Sequence, residues 1–239
     1  MYSITTQDSI TKLYTAVHEA ADAIIRAKLV PEQPTPSVAA MLAANANDLL
    51  VHADTPNLRL LDMEGTLYPG PKRYEPDFLK QLTAENYYTT TGWRRASRHS
   101  AKTFSAVAFM FGQRLARDTD VPIGVIHNAI GGAPMAAFMS STAKATPAVV
   151  DEAMRNWWQG DSYPDWCRAR VRQNLAAWFE EPTGNQPHHP FEPYFLFNAG
   201  IAPLRHQPIR GVVWYQGESD ATDIPGDRPR AANLNYPVF

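Results

Sequence analysis

Apolar residues recur at helical spacing along several stretches of the chain. Over Ser9 to Val30, the residues Ile10, Leu13, Val17, Ala20, Ala21, Ile24 and Ile25 share a face. Asp8 or Ser9 can cap that helix, and Pro31, Pro34 and Pro36 end it. A second, alanine-rich helix is expected from about Val38 to Val51, carrying Leu42, Leu49 and Leu50. Lys102 to Arg117 reads as an amphipathic helix with Phe104, Val107, Ala108, Phe111 and Leu115 on one face. Pro147 to Gln159 and Pro164 to Glu181 read as two more helices, bearing Trp157, Trp158, Trp166 and Trp178 as core rather than as a binding platform. Between the helices lie three strand signals. Thr55 to Met63 is a turn into a strand, Ile123 to Ile126 a buried strand, and Gly211 to Tyr215 a β-branched and aromatic run of the kind found in a central parallel strand. Strands alternating with helices predict an α/β chain: three layers, α/β/α, around a parallel sheet. Glu64 to Ser100 reads as one long loop, a length that is usually functional or a lid.

Candidate chemistry gathers where the strands end. After Tyr215 the chain breaks into Gln216-Gly217-Glu218-Ser219-Asp220. Ligands of open α/β sheets bind at the carboxyl ends of strands. Gln216 offers an amide there, Gly217 lets the backbone approach closely, and Glu218 offers a carboxylate, while Ser219 or Asp220 would suit a helix cap. At the end of the Ile123 strand, Gly131 and Gly132 permit positive φ and an outward backbone N–H. His127, beside them, reads as a hydrogen-bonded structural histidine rather than a base.

The block Gly211-Val-Val-Trp-Tyr-Gln-Gly-Glu-Ser-Asp220 resembles the Gly-Val-Ile-Trp-Tyr-Gln-Gly-Glu-Ser-Asn block of sialate O-acetylesterases, carbohydrate esterases of the SGNH hydrolase superfamily. Other segments are similar to that family in the same order. These are Pro56 to Leu61, the helix beginning Phe104-Ser-Ala-Val-Ala, the strand Val121-Pro-Ile-Gly-Val-Ile126 with its glycine pair, and Leu196 to Leu204. The resemblance runs from about Pro56 to Tyr236. It implies an SGNH-like (flavodoxin-like) domain over residues 38–239 with a helical insertion at about 147–181, preceded by an unmatched helical segment over 1–37.

The resemblance also implies hydrolysis of O-acetyl esters on sialic acid or related sugars by serine-hydrolase chemistry. A serine would attack the acetyl carbonyl, a histidine would take its proton, and an aspartate would orient the histidine. Gly131 or Gly132 would supply a backbone oxyanion donor and Gln216 an amide donor, Gly217 would give room, and Glu218 would support the loop. The Arg94, Arg95, Arg98 and His99 cluster is either a solvated basic loop or a contact to an anionic sugar carboxylate. The family's Gly-Gln-Ser-Asn nucleophile block does not occur. Its nearest echo is Gln7-Asp8-Ser9-Ile10, where Ser9 serves better as a helix cap. The family's Asp/His segment would follow Asn235 to Phe239. His188, His189 and His206 precede the Gln-Gly-Glu block, against the family's order, and Ala136-Ala137-Phe138 stands where the family has Glu-Ala-Trp. The expectation is therefore an esterase core truncated at both ends, its fold incomplete and its own turnover low. The alternative is a non-catalytic carbohydrate-binding or interaction protein on the same scaffold.

Composition adds few constraints. The 239 residues suffice for one sizeable domain, and a formal charge of −2 points away from nucleic acid and anionic membranes. With one cysteine, Cys167, no intrachain disulfide can form, and a packed thiol is expected. No Cys/His spacing suggests a metal, no cofactor is expected, and no apolar run reaches membrane-spanning length. Met1 to Gln7 lacks the pattern of a leader, which suggests the cytosol for the chain as given. The resemblance suggests a secreted, periplasmic or lysosomal protein.

Overall fold

The computed structural model describes residues 50–67, 70, 72–142, 157–159, 163, 165–182, 184–216 and 219. The helix expected over Ser9 to Val30, most of that over Val38 to Val51, most of that over Pro147 to Gln159, and the Ser9 echo lie outside them. The chain divides into two compact units. One comprises Met1–Glu64 and Thr90–Gly131, the other Gly65–Thr89 and Gly132–Phe239.

The first unit is a sheet with a helix laid on it. Strand β1 (Thr55–Gly65) sets exposed Arg59 between buried Leu58 and Leu60, the alternation that a half-covered strand requires. The stretch expected to be one long loop contains a short helix α1 (Pro76–Leu79) and a short strand β2 (Tyr88–Thr90), which fall wholly and mostly in the second unit, and, in the first, a short strand β3 (Arg94–Ala96) and a helix α2 (Arg98–Ala101). Helix α2 starts in a capping box in which Ser97 and Ser100 bond reciprocally. Helix α3 (Ala106–Thr119) begins at Ser105, whose hydroxyl accepts the Ala108 N–H, and ends at Asp120 in a left-handed turn. Strand β4 (Ile123–His127) pairs with β1 in parallel, from Leu58 opposite Ile123 to Asp62 opposite His127. β3 pairs with β1 antiparallel. The sheet is thus mixed, not purely parallel, and β4 is half-buried rather than buried.

Leu58, Leu60, Ala96, Ala101, Phe104, Ala106, Phe109 and Ala116 form this unit's core. The buried stripe of α3 differs from the expected one. Val107 is buried as expected, but Ala108, Phe111 and Leu115 are only partly so, and Phe109, Gly112, Gln113 and Ala116 face inward instead. Gly112 explains the rotation. A Cβ there would lie 2.5 Å from Val125 Cγ2 and 2.9 Å from Leu58 Cδ1, so the helix meets the sheet at the one position without a side chain. Gln113 is buried because its amide donates to the His52 carbonyl at 2.5 Å and to Thr55 Oγ1 at 3.3 Å.

The second unit is held by side chains more than by a sheet. Helices α4 (Asp165–Asn174) and α5 (Ala176–Glu180) occupy the expected 164–181 stretch. Asn174, fully buried, donates to the carbonyls of Gly70 and Lys72, and its own carbonyl accepts the Tyr74 N–H at 2.8 Å. His189, also fully buried, meets Asn174 Oδ1 through Nε2 at 3.1 Å and accepts the Phe191 N–H at Nδ1 at 2.9 Å. Cys167 is buried and in no disulfide among the described residues. Trp157, expected as core, is buried against Tyr163 and His189.

Gly211 to Tyr215, expected to be a central strand, forms none. Val212, Val213, Trp214 and Tyr215 are exposed, Val212 at 78%. Trp214 meets the edge of Phe138, at 5.5 Å between ring centroids. β-branched and aromatic residues prefer strands only where a partner and a covering face exist. Among the described residues of this unit, no strand pairs with the run.

Candidate active site

In the first unit, the parallel register ends by placing Asp62 beside His127. These residues are 65 positions apart in sequence, where the pairing of β1 with β4 ends. Asp62 Oδ1 lies 2.7 Å from His127 Nδ1. A carboxylate can only accept, so Nδ1 carries the proton and donates it. Asp62 is buried, its backbone N–H donates to Thr91 Oγ1 at 3.4 Å, and its carbonyl accepts the Thr91 N–H at 3.3 Å. Phe104, wholly buried just before α3, sets its ring at 63° to the imidazole with centroids 5.5 Å apart. The imidazole is thus fixed in one orientation by a carboxylate and an aromatic ring. Its Nε2 is buried and has no hydrogen-bond partner among the described residues. An imidazole oriented through Nδ1 with an open Nε2 lone pair is equipped to accept a proton from a hydroxyl. The hydrogen bond expected of His127 is present. Its partner was missed, although a carboxylate and a histidine ending two predicted strands was the available signal.

In the second unit, Gly132 adopts φ +77°. A Cβ at Gly132 would lie 2.9 Å from Cη2 of Trp166 and 3.2 Å from Cζ of Phe191, so both the conformation and the space demand glycine. Gln216 Nε2 donates to the Ala133 carbonyl at 3.4 Å, and Ser219 Oγ donates to the Gly132 carbonyl at 3.0 Å. The Gln-Gly-Glu loop therefore meets the glycine turn at both of its described ends. Gly217 and Glu218 lie outside the described residues, and Gly131 closes the first unit without a positive φ.

The other candidates separate. His189 is the structural anchor described above, and burial, with the Arg170 charge added, pushes it down to about 3. His188 is half-exposed and bonds Glu192 Oε2 at 2.7 Å. That bond raises it above the usual histidine range, and burial opposes the shift. His206 is exposed and accepts from Arg205. Of the basic cluster, Arg94 is half-buried with its Nε unpartnered among the described residues, while Arg95, Arg98 and His99 are exposed. No helix among the described residues is long and apolar enough to cross a membrane.

Half of this chain is similar in sequence to sialate O-acetylesterases. It is 34% identical over 128 residues to the enzyme of that name from Mus musculus, covering 49% of this chain and 21% of that protein. It is 31% identical over 119 residues to that from Homo sapiens, covering 50% of this chain and 18% of that protein. The resemblance to sialate O-acetylesterases is thus shown over half of the chain, and the chain spans about a fifth of the length of the curated relatives it matches. Among solved structures, a carbohydrate acetylesterase from Xanthomonas citri matches with a TM-score of 0.45 and 24% identity, over 80% of this chain and 31% of that one. No family model matches the chain.

Proposed function

We propose that this chain belongs to the machinery of a carbohydrate O-acetylesterase, cleaving O-acetyl esters on sialic acid or a related sugar. The observation that carries this reading is the sequence relation to sialate O-acetylesterases over half of the chain. Geometry within each unit, taken by itself, supports it. Asp62 and His127 form the orienter-and-base half of an acyl-transfer site. A serine hydroxyl attacks the acetyl carbon, its proton passes to Nε2 of His127, and the same nitrogen returns the proton to the sugar oxygen as the C–O bond breaks, leaving an acetyl-enzyme; water, giving its proton to the same nitrogen, then attacks the acetyl-enzyme and the serine oxygen leaves with that proton. Acetate and the free sugar hydroxyl are the products. Gln216, with Gly131 or Gly132, takes the role of donor to the oxyanion, Gly217 leaves room for the acyl group, and Glu218 is the loop's supporting carboxylate. The three-layer SGNH-type arrangement, with residues 38–239 as its domain and about 147–181 as its insertion, belongs to the same reading.

Acetate release from 9-O-acetyl-N-acetylneuraminic acid by the purified chain tests the proposal. Enzymatic release above the buffer rate is expected. Release no faster than in buffer, from protein shown folded by circular dichroism, would overturn it.

A further inference from the structure

The face of the first unit's sheet away from α3 carries an arrangement that hydrolysis does not use. Arg59 on β1 is the register partner of Arg95 on β3 and of Gly124 on β4. Register partners project on the same face, so Arg95, Arg59 and Gly124 form one row across the sheet. Both arginines are exposed. Like charges directly opposite each other destabilise a strand pair. Arg59 Nη1 is tied down, donating to the carbonyls of Pro56 at 2.8 Å and Leu58 at 3.1 Å. Trp93, two positions before Arg95 and so on the same face by alternation, lies on Gly124. A Cβ at Gly124 would sit 3.1 Å from its Cη2 and 3.2 Å from its Cζ3. The absent side chain lets the indole lie against the strand, yet 51% of Trp93 remains open to solvent.

We propose that Trp93, Arg59 and Arg95 form a binding face for a carboxylate-bearing sugar. The flat apolar face of a pyranose covers the indole, as aromatic side chains bury large apolar area at a fixed geometry. The sugar carboxylate accepts charge-assisted bonds from the guanidinium groups, whose fork matches it. Filling the face relieves the repulsion between the two arginines. A neutral sugar offers only the stacking half of the interaction, and a simple anion only the other half. The site is one of recognition and stands whether or not the chain hydrolyses esters.

Titration calorimetry of the whole chain with N-acetylneuraminic acid and with its neutral methyl ester tests this. The free acid is expected to bind saturably, and the methyl ester about tenfold or more weaker, since hydrogen bonds to charged groups carry that much. Arg95→Gln, at an exposed position, should reproduce the tenfold loss for the acid and leave the methyl ester unchanged, whereas Trp93→Ala should weaken both. No saturable binding of the acid, equal binding of acid and ester, or wild-type affinity in both variants would each overturn the proposal.

Discussion

The two units stabilise the same kinds of residue in different ways. In the first, Ile123-Gly-Val-Ile-His127 has β1 along one edge and α3 across one face, and it forms a regular strand. In the second, Gly211-Val-Val-Trp-Tyr215 has a similar or stronger β composition and forms none. That unit is ordered instead by Asn174 and His189, two buried polar side chains that pin loop carbonyls and amides. Strand character therefore rests with the partner and the covering face, not with the run itself.

Removing the cover on the first unit should have the largest effect. Phe104→Ala, at a wholly buried position, is expected to cost about 3–5 kcal/mol in urea unfolding. A cost below about 1 kcal/mol would mean that the sheet does not depend on that packing. In the second unit the matching test is pH. His189 is held neutral in the fold at about 3, below its ordinary value of 6.5. Between those values the unfolded chain binds the proton and the folded chain does not, so stability falls as pH drops from about 6.5 toward 3. Protonating Nδ1 would also remove the acceptor of the Phe191 N–H. Thermal unfolding of His189→Gln should show a shallower pH slope in that window, and an unchanged slope would locate the acid sensitivity elsewhere.

Gly112→Ala is a smaller and sharper case. Helix propensity alone favours alanine by about 1 kcal/mol. Overpacking against the short, stiff Val125 side chain should reverse the sign, for a net loss of about 1–2 kcal/mol. A stabilised variant would show that α3 can lift from the sheet without cost. The smallest effect belongs to Val212→Ser, whose side chain is open to solvent. It is expected to change stability by less than about 0.5 kcal/mol. A loss of several times that would mean that the run is packed after all.

Much of the first unit was legible in the sequence. β4 and α3 fall where periodicity places them, because apolar spacing reports which residues seek cover. What periodicity could not report was the rotation of α3, since Gly112 and Gln113 are buried for reasons other than hydrophobicity: one for absence of bulk, the other for a pair of hydrogen bonds. The Gly211 to Tyr215 run misled because its composition is that of a strand while its partner is a matter of tertiary structure. Of the candidate site, the Gln216 amide was placed near the glycine turn by resemblance, and the structure joins it to Ala133. Asp62 went unread as a site residue, although it lies near the end of a predicted strand. Its meaning arises only from the register that sets it beside His127.

The measurement that reaches the central claim most directly is acetate release by His127→Gln beside the wild type and Gln216→Ala, on the same O-acetylated sialic acid. If Asp62 and His127 are the proton-accepting pair, His127→Gln loses about 10²-fold or more. Gln216→Ala, missing one oxyanion donor, loses about 10²–10³-fold. A His127→Gln chain that releases acetate at the wild-type rate would contradict the account.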